Sequence, residues 1–206
     1  MQHRSTTARR ILITLATALV ASTATVGVAH AGDGFLLVED LPADPTWVAD
    51  GIQEGEPEIE EFCVGDVIKP AGTRHQPYHT DLDTIAREHI VVSATEAKAA
   101  KLQKRLNRAV RGCAEAYEEE NPGSTATFRR YGTFGIADGV AVYGVFIEDD
   151  FGALSANLFA VGRDATDLTV VRYGRIGREA DVPVRAFERT ARRAVALLAP
   201  LTGTSP

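Results

Sequence analysis

The residues whose types and spacing best suit chemistry are His75-Gln76-Pro77-Tyr78-His79-Thr80-Asp81-Leu82-Asp83, with His89 shortly after. Imidazoles and carboxylates at such intervals are divalent-metal ligands, so His75, His79 and Asp81 are the candidates for a metal centre or a metal-dependent hydrolase. The run is not H-E-x-x-H, and Pro77 breaks the i, i+4 helical pairing that such a motif needs. A polar loop with exposed histidines is the simpler expectation, and metal binding is the lesser one. A second set, Arg130, Tyr131, Tyr143, Arg172 and Tyr173, brings arginine forks and amphipathic phenols together in one half of the chain. These are candidate ligand-binding residues, set against the plainer expectation of tyrosines in a core and arginines on a surface.

Other chemistry leaves little trace. There is no G-x-S-x-G elbow, and Ser124 and Ser155 have no neighbouring base. Asp149-Asp150 reads as the start of a turn rather than an acid–base pair. Gly132, Gly135 and Gly139 surround a hairpin and do not form a phosphate loop. No catalytic residue and no cofactor is therefore assigned, and the chain reads as a binding module rather than an enzyme.

The elements that would position these residues follow from hydrophobic periodicity. Ile85–Val92 fits a strand, and Ser93-Ala94-Thr95-Glu96 has the spacing of a capping box at a helix start. That helix should run to about Glu119, with Leu102, Leu106, Val110, Cys113 and Tyr117 along one face. Four strands are expected at Thr125–Phe134, Val140–Ile147, Ala153–Val161 and Leu168–Gly174, joined by turns short enough to demand antiparallel neighbours. A final helix should span Pro183 to about Ala199, burying Val184, Phe187, Ala191, Ala194, Val195 and Leu198. The expected fold is α+β, an antiparallel meander with two long helices packed on one of its faces. Residues 63–84 show little periodicity and read as irregular. The acidic block Glu54–Glu61 reads as solvated.

The first residues have the three parts of a secretory signal: Arg4, Arg9 and Arg10, then an apolar stretch from Ile11 to Val28, then Ala29-His30-Ala31. Cleavage is expected between Ala31 and Gly32, which makes the chain secreted with no membrane anchor left. General secretion is favoured over the twin-arginine route, because the context of Arg9-Arg10 matches that signal poorly. Losing residues 1–31 removes three arginines and no acid, which moves the net charge from −6 to −9. So acidic a chain has no general attraction for nucleic acid or anionic lipid. The organisation expected is signal 1–31, an N-terminal extension 32–62 with a short apolar segment, an α+β domain 63–200 and a disordered tail 201–206. Cys63 and Cys113 are the only two cysteines and match no CxxC pattern, so outside the cell they should form one disulfide.

Several of these pieces occur in a familiar order. Leu36-Leu37 leads into Asp40-Leu41-Pro42, then come Cys63 and a helix carrying Cys113. Thr169-Val170-Val171-Arg172-Tyr173-Gly174 follows, and after a short loop Asp181-Val182-Pro183-Val184 and Phe187. Over roughly residues 34–199 the chain resembles actinobacterial secreted proteins related to the PknH-like extracellular sensor domain family. The resemblance implies an α+β domain whose cleft receives an extracellular ligand. It departs from the kinase ectodomain in having cysteines for one disulfide only, and it carries no kinase domain. Three expectations follow: a secreted, non-enzymatic sensor or binding domain; a secreted hydrolase or metal enzyme using His75, His79 and Asp81; and an interaction or inhibitor module at the cell envelope.

Overall fold

The computed structural model describes residues 33–43, 46–55, 57, 61–69 and 72–202. The expected signal and its cleavage point at Ala31–Gly32 lie outside the described residues, as do residues 203–206. Eight strands form one antiparallel sheet: β1 Val48–Ala49, β2 Gln53–Glu54, β3 Thr73–His79, β4 Thr84–Val92, β5 Thr125–Phe134, β6 Val140–Glu148, β7 Leu154–Asp164 and β8 Asp167–Ile176. Their order is β1-β3-β4-β8-β7-β6-β5, with β2 also paired to β3. The consecutive strands β5 to β8 are the expected meander, and β4 extends it by pairing with β8. Two helices, α1 Glu96–Glu120 and α2 Val184–Thr202, complete the α+β fold. None of the helices described is long and apolar enough to cross a membrane.

The helices do not share a face of the sheet, as the sequence led us to expect. Phe187, Ala191, Ala194 and Val195 of α2 pack with Val142, Leu158, Val171 and Tyr173. Ala99, Leu106, Val110 and Cys113 of α1 pack with Tyr143, Phe159, Val161 and Val170, the alternate residues of the same strands. Successive strand residues point to opposite faces, so α1 and α2 cover opposite sides. The reason is legible in β6, where every residue from Val140 to Ile147 is buried. An unbroken apolar run requires cover on both faces, not one.

Packing on the α2 side is close enough to dictate a glycine. A Cβ on Gly162 would lie 2.1 Å from Val195 Cγ2. On the α1 side the disulfide Cys63–Cys113 has formed, with Cα atoms 5.3 Å apart. It ties the segment Glu61–Lys69 to α1, and Val64 and Ile68 of that segment are buried beneath it. Closing a loop of 50 residues stabilises the fold by about 4 kcal/mol in the chain-entropy model.

Three local expectations need correction. The irregular stretch 63–84 contains β3, masked in the sequence because it buries Thr73, His75 and Gln76 rather than an apolar series. The cap of α1 is Thr95, whose hydroxyl accepts the Lys98 amide at 3.2 Å, so the helix starts two residues after the Ser93 expected. Residues 33–43 and 46–55 are not appended to the domain but built into it, since Phe35, Leu36, Leu41 and Trp47 are core residues.

Candidate functional site

The two residue sets singled out in the sequence are dispersed by the fold. His75 and His79 lie on the same face of β3, but four residues of extended chain put them about 13 Å apart. His75 is buried, with Nδ1 donating to the Gly55 carbonyl at 3.0 Å and Nε2 3.1 Å from Gln53 Oε1. Burial pushes its pKa below the ordinary imidazole value. His79 is exposed and pairs with Asp50 at 3.1 Å, and Asp81 stands exposed in the turn beyond. Among the described residues no group of three His, Cys, Asp or Glu is placed to hold a metal ion.

Of the five ligand-binding candidates, four lie elsewhere. Arg130 is exposed and donates to Thr133 Oγ1. Tyr131 donates to Glu179 at 3.1 Å, at the sheet edge on the α2 side. Tyr173 is buried on the α2 side beside Trp47 and Phe187. Tyr143 is buried under α1, donating to Asn107 and accepting from Arg111. Arg172 reaches a cleft.

That cleft is built around a charge problem. Arg87 of β4 and Arg172 of β8 sit directly opposite one another in the ladder, both on the α1 side. Like charges in that position repel. The carboxylate of Glu61 lies over them and gives one oxygen to each: Oε2 accepts from Arg87 Nη1 at 2.6 Å, and Oε1 accepts from Arg172 Nη1 at 2.9 Å. His89, fully buried two residues along β4, donates from Nε2 to the same Oε2 at 3.3 Å. Burial alone would raise the pKa of Glu61. The hydrogen bond from His89 and the charge of Arg172 outweigh it and hold the carboxyl at about 2. Glu61 is therefore ionised near neutrality, and its two oxygens take three donors and anchor the two arginines.

Arg172 divides the space beside this anchor in two. Its Nε and Nη2 both donate to Asn157 Oδ1, at 3.1 and 2.9 Å, and its guanidinium lies 5.4 Å from the Phe62 ring centroid. On one side is a cavity of about 170 Å³ reached by Arg87, Asp50, His79 and Ile85. On the other is a cavity of about 390 Å³ walled by Phe62 and Tyr117 and reached by Ser155 and Asn157. Phe62 and Tyr117 meet edge to face at 6.1 Å. Two residues along β8 from Arg172, Gly174 pairs with Ile85 on one flank and Asn157 on the other. A Cβ there would stand 3.0 Å from Asn157 Oδ1 and 3.6 Å from Arg172 Nη2, so glycine leaves room for the contact between them.

A third and wider groove, about 770 Å³, runs between the Glu61–Val67 segment and the Arg108–Glu120 stretch of α1, past the disulfide. The same segment thus walls the groove and, through Glu61 and Phe62, the cleft.

The opposite side of β4 carries a second buried glutamate in different company. Glu88 Oε2 accepts the Leu36 amide at 2.7 Å and Oε1 accepts the Thr169 hydroxyl at 2.8 Å. Among the described residues it has no cationic partner there, and burial pushes its pKa up to about 7. Both oxygens are enclosed, which keeps this proton away from any ligand in the cleft.

Glu61, Phe62, Arg87 and Asn157 were not singled out from the sequence. Glu61 ends an acidic block that reads as solvent-exposed, yet it is 3 % exposed. The available signal was its place two residues before Cys63, since a disulfide cysteine holds its neighbours against the body of the protein. The sequence matches no protein-family model, and no curated protein is significantly similar to it.

Proposed function

We propose that this chain is an exported, non-enzymatic binding or sensor domain whose ligand occupies the cleft at Arg172. The observation that carries this reading is the cleft in which Arg172, fixed by Glu61 and Asn157, separates a cavity of about 170 Å³ from a larger one walled by Phe62 and Tyr117. Concave sites with an apolar wall and a few fixed polar groups are what small-molecule recognition uses. The charged centre favours binding over turnover, because Glu61 is held at about 2 by its partners and does not exchange a proton near neutrality. A disulfide suits an oxidising, extracellular setting, in line with the signal read in the first 31 residues.

Thermal unfolding of the oxidised chain against a panel of cell-wall fragments, lipids and small organic molecules tests the reading. A ligand of the folded state raises the midpoint. The Gly174→Val variant, which presses on Asn157 and Arg172, should lose that rise while still folding. A rise that survives Gly174→Val puts the ligand elsewhere and defeats the assignment.

One observation favours a second reading, docking of another protein. Phe151 is 90 % exposed in the β6–β7 turn, and Leu82 and Ile176 stand out at the same end of the sheet. Exposed apolar groups of that size at loop tips are features of interaction surfaces. Loss of a captured partner on Phe151→Ser together with Leu82→Ser would support it. Unchanged capture would remove it.

A further inference from the structure

We propose that the chain pairs with a second copy of itself through strand β5, edge to edge and antiparallel, about a two-fold axis at Phe128. The ladder shows which groups that edge leaves open. At its two ends β6 bonds to β7 through odd-numbered residues: the Asp149 amide donates to the Ala153 carbonyl at 3.0 Å, and the Gly139 carbonyl accepts the Arg163 amide at 3.2 Å. The even-numbered residues of β6 therefore bond to β5, where they meet Thr125, Thr127 and Arg129. Ala126, Phe128 and Arg130 turn their amides and carbonyls outward. The Ala126 amide agrees, since it donates to Glu118 Oε1 at 2.7 Å and not to β6. Because β5 ends the sheet, the outward groups of Phe128 and Arg130 meet no further strand.

An open edge of this kind is a template for adding a strand. Among the described residues the other edge of the sheet ends in β1 and β2, two residues each, and offers no matching row. Self-pairing of β5 is therefore the available match, and it closes as a two-fold dimer. The bulge between Arg130 and Gly132 ends the regular row, which leaves Ala126 to Arg130 with Phe128 at its middle. An axis at Arg129 or Arg130 would set an arginine directly against its own copy, and like charges there repel. With the axis at Phe128, Arg130 of each copy stands opposite Ala126 of the other, both on the α1 side. The Arg130 carbonyl then takes the Ala126 amide across the axis and releases Glu118 to the incoming guanidinium. Within its own chain Arg130 is exposed and donates to Thr133 Oγ1. Each copy thus brings one charge of either sign to the seam, a complementarity that fits a second copy better than an acidic or a basic peptide.

Sedimentation equilibrium of the oxidised chain should show a dimer with a Kd below about 0.1 mM. Arg130→Glu sets two carboxylates together at each end of the seam and should weaken the dimer about tenfold, and Glu118→Arg should do the same with two guanidinium groups. Both changes in one chain restore opposite charges across the axis and should bring the dimer back. In the unaltered chain the amides of Phe128 and Arg130 should exchange with solvent more slowly as concentration rises, while those of β1 do not. That readout stands whether or not the variants fold. A chain that stays monomeric, a dimer indifferent to Arg130→Glu, a double variant that does not recover, or exchange at Phe128 that ignores concentration each overturns the pairing. All of these outcomes leave the reading of the Arg172 cleft as it was.

Discussion

Two buried glutamates meet strand β4 on opposite faces of one sheet, Glu61 from a separate segment and Glu88 from the strand itself, and they are accommodated in opposite ways. On the α1 side Glu61 is brought to β4 by a separate segment and set against Arg87, His89 and Arg172. On the α2 side Glu88 is met only by neutral donors, an amide and a hydroxyl. The first carboxyl is held at about 2, the second at about 7. Burial is common to both. The presence or absence of a cation decides the outcome, and it divides the molecule into an α1 side organised by charge and a disulfide and an α2 side organised by apolar contact.

The largest expected effect comes from cutting the tether of the α1 side. Replacing both Cys63 and Cys113 by Ala should cost about 4 kcal/mol of stability by the loss of loop closure. Amide hydrogen exchange should quicken in residues 61–69 before it does in α2. Equal quickening on both faces would break the division. Next, Glu61→Gln leaves two arginines facing each other without a counter-charge and should cost about 3 kcal/mol in denaturant unfolding at pH 7.

The two glutamates should also give stability opposite slopes with pH. Glu61 has a folded value below the ordinary 4.5, so its contribution is present above 4.5 and is lost as pH falls toward 2. Glu88 has a folded value above 4.5, so its contribution is present below 4.5 and is lost as pH rises through 7. For Glu88 the loss between pH 5 and pH 7 is on the order of 2 kcal/mol. Glu88→Gln, which can still accept the Leu36 amide, should flatten the profile over that range, as followed by urea midpoints. A slope unchanged in that variant would show that Glu88 is not its source. The smallest effect is that of Thr95→Ala, about 1 kcal/mol through the α1 cap, with the α2 side untouched.

What could be read in advance follows the same division. Both helices, the four strands of the meander and the disulfide are marked by periodicity, turn residues and cysteine count, because apolar burial writes itself into sequence at fixed intervals. Polar burial does not. β3 hides behind His75, Gln76 and Pro77, which look like a loop until β2 and β4 supply their partners. Glu61 looks solvated until Arg87 and Arg172, 26 and 111 residues away in the chain, are folded beneath it. Arg172 was a candidate by type alone, whereas Tyr143 and Tyr173 followed the commoner use of tyrosine and went into the core. The two-sided cover of the sheet is legible in the unbroken apolar run of β6.

The position of Phe35 has a practical consequence. It is clustered with Ile90 near the end of β4 and with Leu198 near the end of α2, while Gly174 and Ile85 lie at the far end of the same strands. Both Asp33 and the last turn of α2 therefore lie toward the Ile90 end of β4, away from the Gly174 end. A tether on either side, whether to a biosensor chip or to another polypeptide, would hold the molecule by its base and present the Arg172 cleft outward.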